Sequence, residues 1–90
     1  IALKGRRYDK ILGNIQEVKA RKGRVIALAS HDDTEIHKIV DDVIYIRADS
    51  GIMNSICCAA PLQLLAYHIA VARGCDVDKP KNLAKSVTVE

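Results

Sequence analysis

Two short and almost uninterrupted apolar runs constrain the fold of this chain more than any other feature. The first is RVIALAS at residues 24–30, and the second is VIYIRA at residues 43–48. A strand that is covered on both faces, as in a parallel sheet, reads as a continuous apolar run instead of alternating with polar residues. The two runs therefore predict neighbouring strands of a parallel sheet that carries helices on its faces.

Helical patterns surround these runs. Apolar residues recur at helical spacing over residues 8–22, and Gly23 is placed to end that helix. The segment HDDTEIHKIVDD between the two runs predicts a loop and a short helix. Residues 51–73 predict a long helix that is apolar nearly all round, and hence buried on most sides, with Gly74 as its stop. Pro61 inside it predicts a kink or a restart.

The order of elements predicts an α/β fold, a three-layer parallel sheet flanked by helices. Residues 1–3 are a short apolar stub that suits the end of a further strand. Two strands and a stub leave both sheet edges poorly covered, so we expect part of a larger domain. The first residue is Ile1 and not methionine, which also favours a piece of a longer protein.

The composition narrows the class of protein. The chain has 90 residues, 49% of them hydrophobic and 28% charged, which is typical of one small soluble domain. Three tyrosines, with no tryptophan or phenylalanine, argue against binding of single-stranded nucleic acid, which needs stacking platforms. Without an apolar run of about 18 residues or a signal peptide, we expect no membrane partner and a cytoplasmic location. Cys57, Cys58 and Cys75 lack metal-ligand spacing and predict reduced thiols, with the adjacent pair buried.

The net charge of +3 is concentrated near the N-terminus. A solvated helix face is the simpler interpretation, and contact with phosphate or nucleic acid is the alternative. The cations of this group are Lys4, Arg6, Arg7, Lys10, Lys19, Arg21, Lys22 and Arg24.

Polar residues after the first strand are candidates for chemistry. Asp32 and Asp33 follow a strand end, where α/β proteins place ligand sites, so they could hold Mg²⁺ or accept a phosphoryl group as receiver domains do. A helix cap supplied by Asp33 or Thr34 is the simpler interpretation. His31 and His37 are expected to be exposed, while His68 is expected to be a core residue with a catalytic role as the alternative. There is no GxGxxG or P-loop pattern, and we expect no cofactor and no metal.

The chain closes on NLAKSVTVE, which places Lys85 among small and apolar residues. At its reference pKa of about 10.4, only about 0.04% of a lysine is free amine at pH 7. Desolvation or a neighbouring cation could lower that pKa by about three units at a cost of about 4 kcal/mol. The amine could then attack a carbonyl carbon and form a Schiff base. A solvated lysine in a frayed end is the simpler alternative.

Two segments, PLQLLAYHIAVARG and DVDKPKNLAKSVTVE, closely resemble the C-terminal end of the glutamine–fructose-6-phosphate aminotransferase family. The resemblance is strongest over residues 61–90 and weaker over residues 1–60. It implies a sugar isomerase (SIS) domain with a flavodoxin-like sheet, in which residues 1–74 form the C-terminal portion of a subdomain. Residues 75–90 would be a tail that closes over the sugar-phosphate site.

The resemblance also implies roles for individual residues. Lys85 matches the lysine that forms a Schiff base with C2 of the open-chain sugar, and Ala84 matches a backbone contact to the sugar. The family's proton-shuttling glutamate, its ring-opening histidine and its phosphate-holding loop would lie upstream of Ile1, so His68 is not that histidine. The family usually has arginine where this chain has Lys81, which loses the planar fork of the guanidinium.

By this resemblance the parent converts fructose 6-phosphate and glutamine to glucosamine 6-phosphate and glutamate in hexosamine biosynthesis. Its expected partners are fructose 6-phosphate, the other SIS subdomain, the glutamine amidotransferase (glutaminase) domain and a second copy in a homodimer. The isolated chain is expected to be inactive. The alternative is a non-enzymatic SIS module that binds a sugar phosphate as a regulator.

Overall fold

The computed structural model describes residues 1–47 and 51–79, which form layers of helix, sheet and helix. Its elements are helix α1 (Tyr8–Ala20), strand β1 (Ile26–Ser30), a single 3-10 turn (Ile36–Lys38), strand β2 (Asp42–Ile46) and helix α2 (Gly51–Ala72). The order agrees with the α/β pattern predicted from the sequence. Residues 48–50 and 80–90 lie outside the described part.

The sheet is parallel, as the two apolar runs predicted. Strand β1 pairs with β2 in a register that sets Ile26 opposite Asp42 and Ser30 opposite Ile46. The N-terminal stub adds a parallel bridge on the other side of β1, between Ala2 and Ala29, and the Ala2 amide donates to the carbonyl of Leu28 at 2.7 Å. The chain therefore contributes three adjacent strand positions with β1 in the middle.

Each face of the sheet carries its own small core. Ala27 and Ala29 of β1 pack with Ile15 of α1 and with Ile36 on one face. Successive side chains of a strand point to opposite faces, so Leu28 packs instead with Ile46 and Cys58 against α2. Helices thus cover both faces, which is the arrangement that requires continuous apolar strands.

Helix α1 begins at the predicted residue and ends two residues earlier than predicted. The Lys22 amide donates to Lys19 and the Gly23 amide to Val18, a Schellman arrangement in which Lys22 takes the left-handed conformation at φ 61°. Gly23 was predicted for that position, but it serves a different purpose. A Cβ on Gly23 would lie 2.5 Å from Val18 Cγ1, so only glycine fits this close approach.

Helix α2 departs in part from prediction. It runs through Pro61 as one element of 22 residues, which excludes the restart, whereas the alternative of a kink stays a prediction. Its predicted burial is also wrong for this chain, because Cys58 is its one buried residue and large side chains such as Ile52 (79% exposed) and Leu64 (59%) face solvent. A sheet of two strands and a bridge is too narrow to cover a helix about 33 Å long.

By length and composition α2 could also cross a membrane. Its 18-residue window has a mean hydropathy of 1.6 and is 6% buried. Four polar residues interrupt the apolar run: Asn54, Ser55, Gln63 and His68. The mean hydropathy of the helix nevertheless stays high enough for a membrane span, which the sequence-based expectation overlooked. One such helix is weak evidence, since the core helices of soluble proteins pass the same test.

Candidate functional site

The carboxyl ends of β1, β2 and the stub form one edge of the sheet, and the loop after β1 lies there. Asp33 in this loop is buried, and its Oδ1 accepts hydrogen bonds from the amides of Glu35 (3.0 Å) and Ile36 (3.1 Å). Its Oδ2 accepts a hydrogen bond from the Tyr8 hydroxyl at the start of α1. The N-cap of the 3-10 turn is Glu35, so the predicted N-cap at Asp33 or Thr34 is wrong, and Asp33 instead holds the entry to the turn from two residues upstream.

The electrostatics of this pair follow from its contacts. Burial alone would raise the pKa of Asp33, but the hydrogen bonds from Tyr8, Glu35 and Ile36 and the charge of Lys4 outweigh it and lower that pKa below its ordinary value. Burial, together with the hydrogen bond to Asp33, raises the pKa of Tyr8 to about 12. Asp33 therefore stays ionised and Tyr8 protonated near neutral pH.

These contacts also bear on the phosphoacceptor hypothesis. Both oxygens of Asp33 are engaged by donors, which leaves its carboxylate poorly placed to attack a phosphoryl group. Asp32 is exposed, and Lys4 Nζ binds both its backbone carbonyl (3.0 Å) and its carboxylate (3.4 Å). Among the described residues, no group of three His, Cys, Asp or Glu side chains could hold a metal ion.

The opposite, amino edge of the sheet has a structural clamp. Asp41 holds Lys19 of α1 through both carboxylate oxygens, at 2.8 and 2.9 Å, and accepts from the Val25 amide at 2.6 Å. The hydrogen bond from Lys19 is the main reason that the pKa of Asp41 is lowered. Arg24 pairs with Asp42 beside it at 3.1 Å. The cations that crowd this part of the sequence are thus partly neutralised by Asp41, just before β2, and by Asp42, its first residue.

The three histidines lie apart. His31 and His37 are exposed, as predicted. His68 is exposed as well, although it was predicted to lie in the core. The His68 ring meets Tyr67 edge-to-face at 5.4 Å, and it lines a shallow concavity of about 320 Å³ with Ile44 and Pro61. The burial prediction for His68 is wrong because the face of α2 that carries it is left uncovered by this narrow sheet.

The C-terminal end of α2 leads toward the predicted catalytic tail. Gly74 adopts φ +73°, and the Cys75 amide donates to the Ala70 carbonyl at 2.9 Å, so the helix ends where the sequence predicted. Asp76 Oδ1 then accepts from the amides of Asp78 (2.9 Å) and Lys79 (3.2 Å). The chain consequently turns back beside the last turns of α2.

This reversal forms a concavity of about 530 Å³. The concavity is lined mainly by apolar atoms, and one thiol and two charged residues are among its lining: Ala66, Tyr67, Ala70, Cys75, Asp76, Val77 and Lys79. Lys85 and Ala84, the two predicted substrate-binding residues, lie outside the described residues. Lys85 follows Lys79 by six positions, so their Cα atoms can be at most about 20 Å apart.

All three cysteines are free thiols. Cys58 is buried against the sheet, Cys57 is half-buried beside it, and Cys75 is exposed. The prediction of two small buried side chains thus holds fully for Cys58 and in part for Cys57.

Sequence reasoning missed the role of Tyr8. The prediction treated Tyr8 as the first residue of α1, and no local pattern links it to a carboxylate 25 positions away. Sequence reasoning also missed that Lys4, His31 and Arg47 each follow the end of a strand. The sequence contained the signal for this, because the carboxyl ends of parallel strands meet at one edge of a sheet and residues that follow them are neighbours.

The model of the SIS domain family matches residues 1–73. Over all 90 residues the chain is 57% identical to a protein of Chlorobaculum tepidum and 56% identical to one of Thermus thermophilus, and both are named glutamine–fructose-6-phosphate aminotransferase (isomerizing). A protein of Methanosarcina acetivorans with the same name is 52% identical. The chain spans 15% of the length of each of these relatives.

Proposed function

The chain belongs to the SIS domain family, and from that premise we propose that it is the C-terminal part of a glutamine–fructose-6-phosphate aminotransferase. The observation that carries this proposal is the identity of 47–57% over the chain to enzymes of that name from bacteria and archaea. The whole protein would move ammonia from glutamine to fructose 6-phosphate and yield glucosamine 6-phosphate and glutamate. Such an enzyme would work in the cytoplasm.

Two regions of the chain would divide this work. Residues 1–74 would form the C-terminal portion of an SIS subdomain, and residues 75–90 a tail that closes over the sugar-phosphate site. The exposed apolar face of α2 supports the first part, because a large apolar surface marks a place that another part of a protein covers. The reversal at Gly74 and the turn at Asp76 support the second, because they end the helix and redirect the chain at residues 74–79, just before the proposed closing segment.

Lys85 would carry the covalent step. Its Nζ, as the free amine, attacks C2 of the open-chain ketose, and loss of water leaves an imine between Nζ and C2. The ammonium form has no lone pair, so the closed tail must lower the pKa of Lys85 by desolvation or by a nearby cation. Ala84 would contribute a backbone contact to the sugar. The proton shuttle, the ring-opening histidine and the phosphate-holding loop would come from residues before Ile1.

Borohydride trapping tests this step directly. The full-length polypeptide is incubated with fructose 6-phosphate, reduced with borohydride and digested, and the modified lysine is found by mass spectrometry. A hexitol phosphate adduct is expected on Lys85 and not on Lys81, which lies in the same tail and serves as the internal control. A label missing from the Lys85 peptide would remove the Schiff-base mechanism.

A regulatory SIS module is the second candidate. The long unpartnered helix face of the chain suits signalling through contacts as well as it suits assembly of an enzyme. Lys85→Arg separates the two, because arginine stays protonated and cannot form the imine. The enzyme would lose turnover, whereas a sensor would keep sugar-phosphate binding and its response. Retained turnover in this variant would contradict the enzymatic assignment of Lys85.

A further inference from the structure

The segment of residues 75–79, which follows α2, is fixed to the end of that helix. Gly74 turns the backbone at φ +73°, and the Cys75 amide donates to the Ala70 carbonyl at 2.9 Å. Val77 is half-buried in the concavity that the segment forms with the last turns of α2. The chain therefore leaves the helix along a defined path.

Asp76 organises the turn within this segment. Its Oδ1 accepts hydrogen bonds from two successive amides, those of Asp78 at 2.9 Å and Lys79 at 3.2 Å. A carboxylate that binds amides a few positions ahead of it forms an Asx turn, which bends the chain without help from a helix or a strand. These two hydrogen bonds thus set the direction of the backbone in a segment that is otherwise largely exposed.

The turn also sets the point from which the rest of the tail departs. Lys85 lies six positions beyond Lys79, the last residue that the Asp76 carboxylate holds. Lys79 precedes Pro80 in the sequence, and the residue before a proline is disfavoured in the helical conformation. The proposed Schiff-base lysine is therefore carried on a tether of six residues. Without the turn the tether would start at Cys75 and count ten residues.

The length of a tether decides how often its end meets a fixed target. For a flexible chain, the effective concentration of the end falls with about the −3/2 power of the tether length. A change from six residues to ten would lower the effective concentration of the Lys85 amine at the sugar by about twofold. The direction of departure adds to this effect, because misplacement of a reacting group by about 1 Å can cost about 10²-fold in rate.

We propose that Asp76 is a positioning residue for Lys85. It acts through the backbone, because its Oδ1 holds the amides of Asp78 and Lys79 and so aims the remaining tail at the sugar phosphate. The inference rests on the proposed function, in which Lys85 Nζ attacks C2 of the open-chain ketose and the carbonyl oxygen leaves as water. Asp76 itself takes part in no bond change.

An electrostatic role is the competing explanation. A carboxylate near the lysine would favour the ammonium form and raise the pKa of Lys85, which opposes nucleophilic attack. Asp76→Asn separates the two explanations, because asparagine keeps the Oδ1 acceptor and loses the charge. Asp76→Ala loses both. Asp78→Ala is the matched control, since Asp78 contributes its amide and not its carboxylate to the turn.

The rate of imine trapping on Lys85 tests the proposal in the full-length polypeptide. Each variant is mixed with saturating fructose 6-phosphate and quenched with borohydride after increasing times, and the adduct on the Lys85 peptide is quantified by mass spectrometry. The rate constant should fall by at least about twofold in Asp76→Ala. It should keep the parent value in Asp76→Asn and in Asp78→Ala. A mere loss of folded protein would lower the amplitude of trapping and leave the rate constant unchanged.

Hydrogen exchange checks the turn itself. The peptide that covers residues 75–79 should exchange its amide hydrogens faster in Asp76→Ala than in Asp76→Asn, because only alanine frees the amides of Asp78 and Lys79. Unchanged exchange in Asp76→Ala would show that the turn does not depend on this side chain and would overturn the proposal.

The trapping outcomes separate this inference from the proposed function. Equal rate constants in Asp76→Ala and the parent would overturn the role of Asp76 and leave the Schiff-base mechanism standing. Equal slowing in Asp76→Asn and Asp76→Ala would assign the effect to charge and would also overturn that role. Absence of any adduct on Lys85 in the parent would remove the Schiff-base mechanism and with it the role of Asp76.

Discussion

The Tyr8 hydroxyl donates a hydrogen bond to Asp33 Oδ2, and this contact joins the first residue of α1 to the loop that follows β1. The same carboxylate holds the entry to the turn at Ile36 through its other oxygen. One buried side chain thereby connects three elements at the carboxyl edge. Its removal should disturb the loop that holds His31 and Asp32.

Replacement of Tyr8 by phenylalanine should destabilise the protein by about 1.5–3 kcal/mol, the range for a hydrogen bond to a charged group. Urea unfolding followed by circular dichroism measures the change. Tyr45→Phe is the matched control, because Tyr45 is 47% exposed and its hydroxyl makes no hydrogen bond among the described residues. Equal effects of the two replacements would contradict a specific role for the Tyr8–Asp33 contact.

The same contact predicts a loss of stability in alkali. The pKa of Tyr8 is raised to about 12 in the folded state, so tyrosinate forms more readily in the unfolded chain above pH 10. The contribution of Tyr8 is therefore complete below pH 10 and is lost as the pH rises toward about 12. The difference in unfolding free energy between the parent protein and Tyr8→Phe should shrink over that window. A constant difference from pH 9 to pH 12 would count against the shift.

In acid the prediction has the opposite sign. The pKa of Asp33 is lowered in the folded state, so its contribution is present above the ordinary aspartate pKa and is lost as the pH falls through the folded value. Asp33→Asn should therefore flatten the acid limb of the stability curve below about pH 4. The free energy of unfolding measured between pH 2 and pH 6 tests this expectation, and an unchanged acid limb would oppose it.

The end of α1 predicts that two adjacent residues respond in opposite ways. Lys22 holds a left-handed conformation, so Lys22→Gly should stabilise the protein by about 0.5–1 kcal/mol after the entropy of the unfolded glycine is counted. Gly23→Ala should destabilise it, since the new Cβ would meet Val18. Gly13→Ala is the control, because Gly13 lies inside the same helix with no atom nearby, and it should stabilise by about 0.5–1 kcal/mol. A destabilising Lys22→Gly would refute this account of the helix end.

The proposed function predicts that the 90-residue chain is inactive by itself. Its tail would supply the amine, but the phosphate-holding loop and the proton-shuttling glutamate would lie in residues before Ile1. Formation of glucosamine 6-phosphate is measured by chromatography with the full-length polypeptide as the positive control. Measurable product from the isolated chain would show that the missing residues are not needed.

Local pattern by itself determined much of the architecture. The runs at residues 24–30 and 43–48 indicated two parallel strands, and the parallel pairing of β1 with β2 confirms them. The start of α1 at Tyr8 and the stop of α2 at Gly74 also followed from sequence, because helical periodicity and a left-handed glycine act within a few residues. The closing NLAKSVTVE supplied Lys85 and Ala84 by resemblance, and their roles stay predictions.

Tertiary structure alone decided the rest. The contacts Tyr8–Asp33 and Lys19–Asp41 join residues more than 20 positions apart, and only the folded register brings them together. The exposure of α2 and of His68 followed from how little sheet the chain contributes, a quantity that apolar content does not reveal. Sequence patterns report which face of an element is apolar, whereas the partner that covers that face depends on the arrangement of distant elements in space.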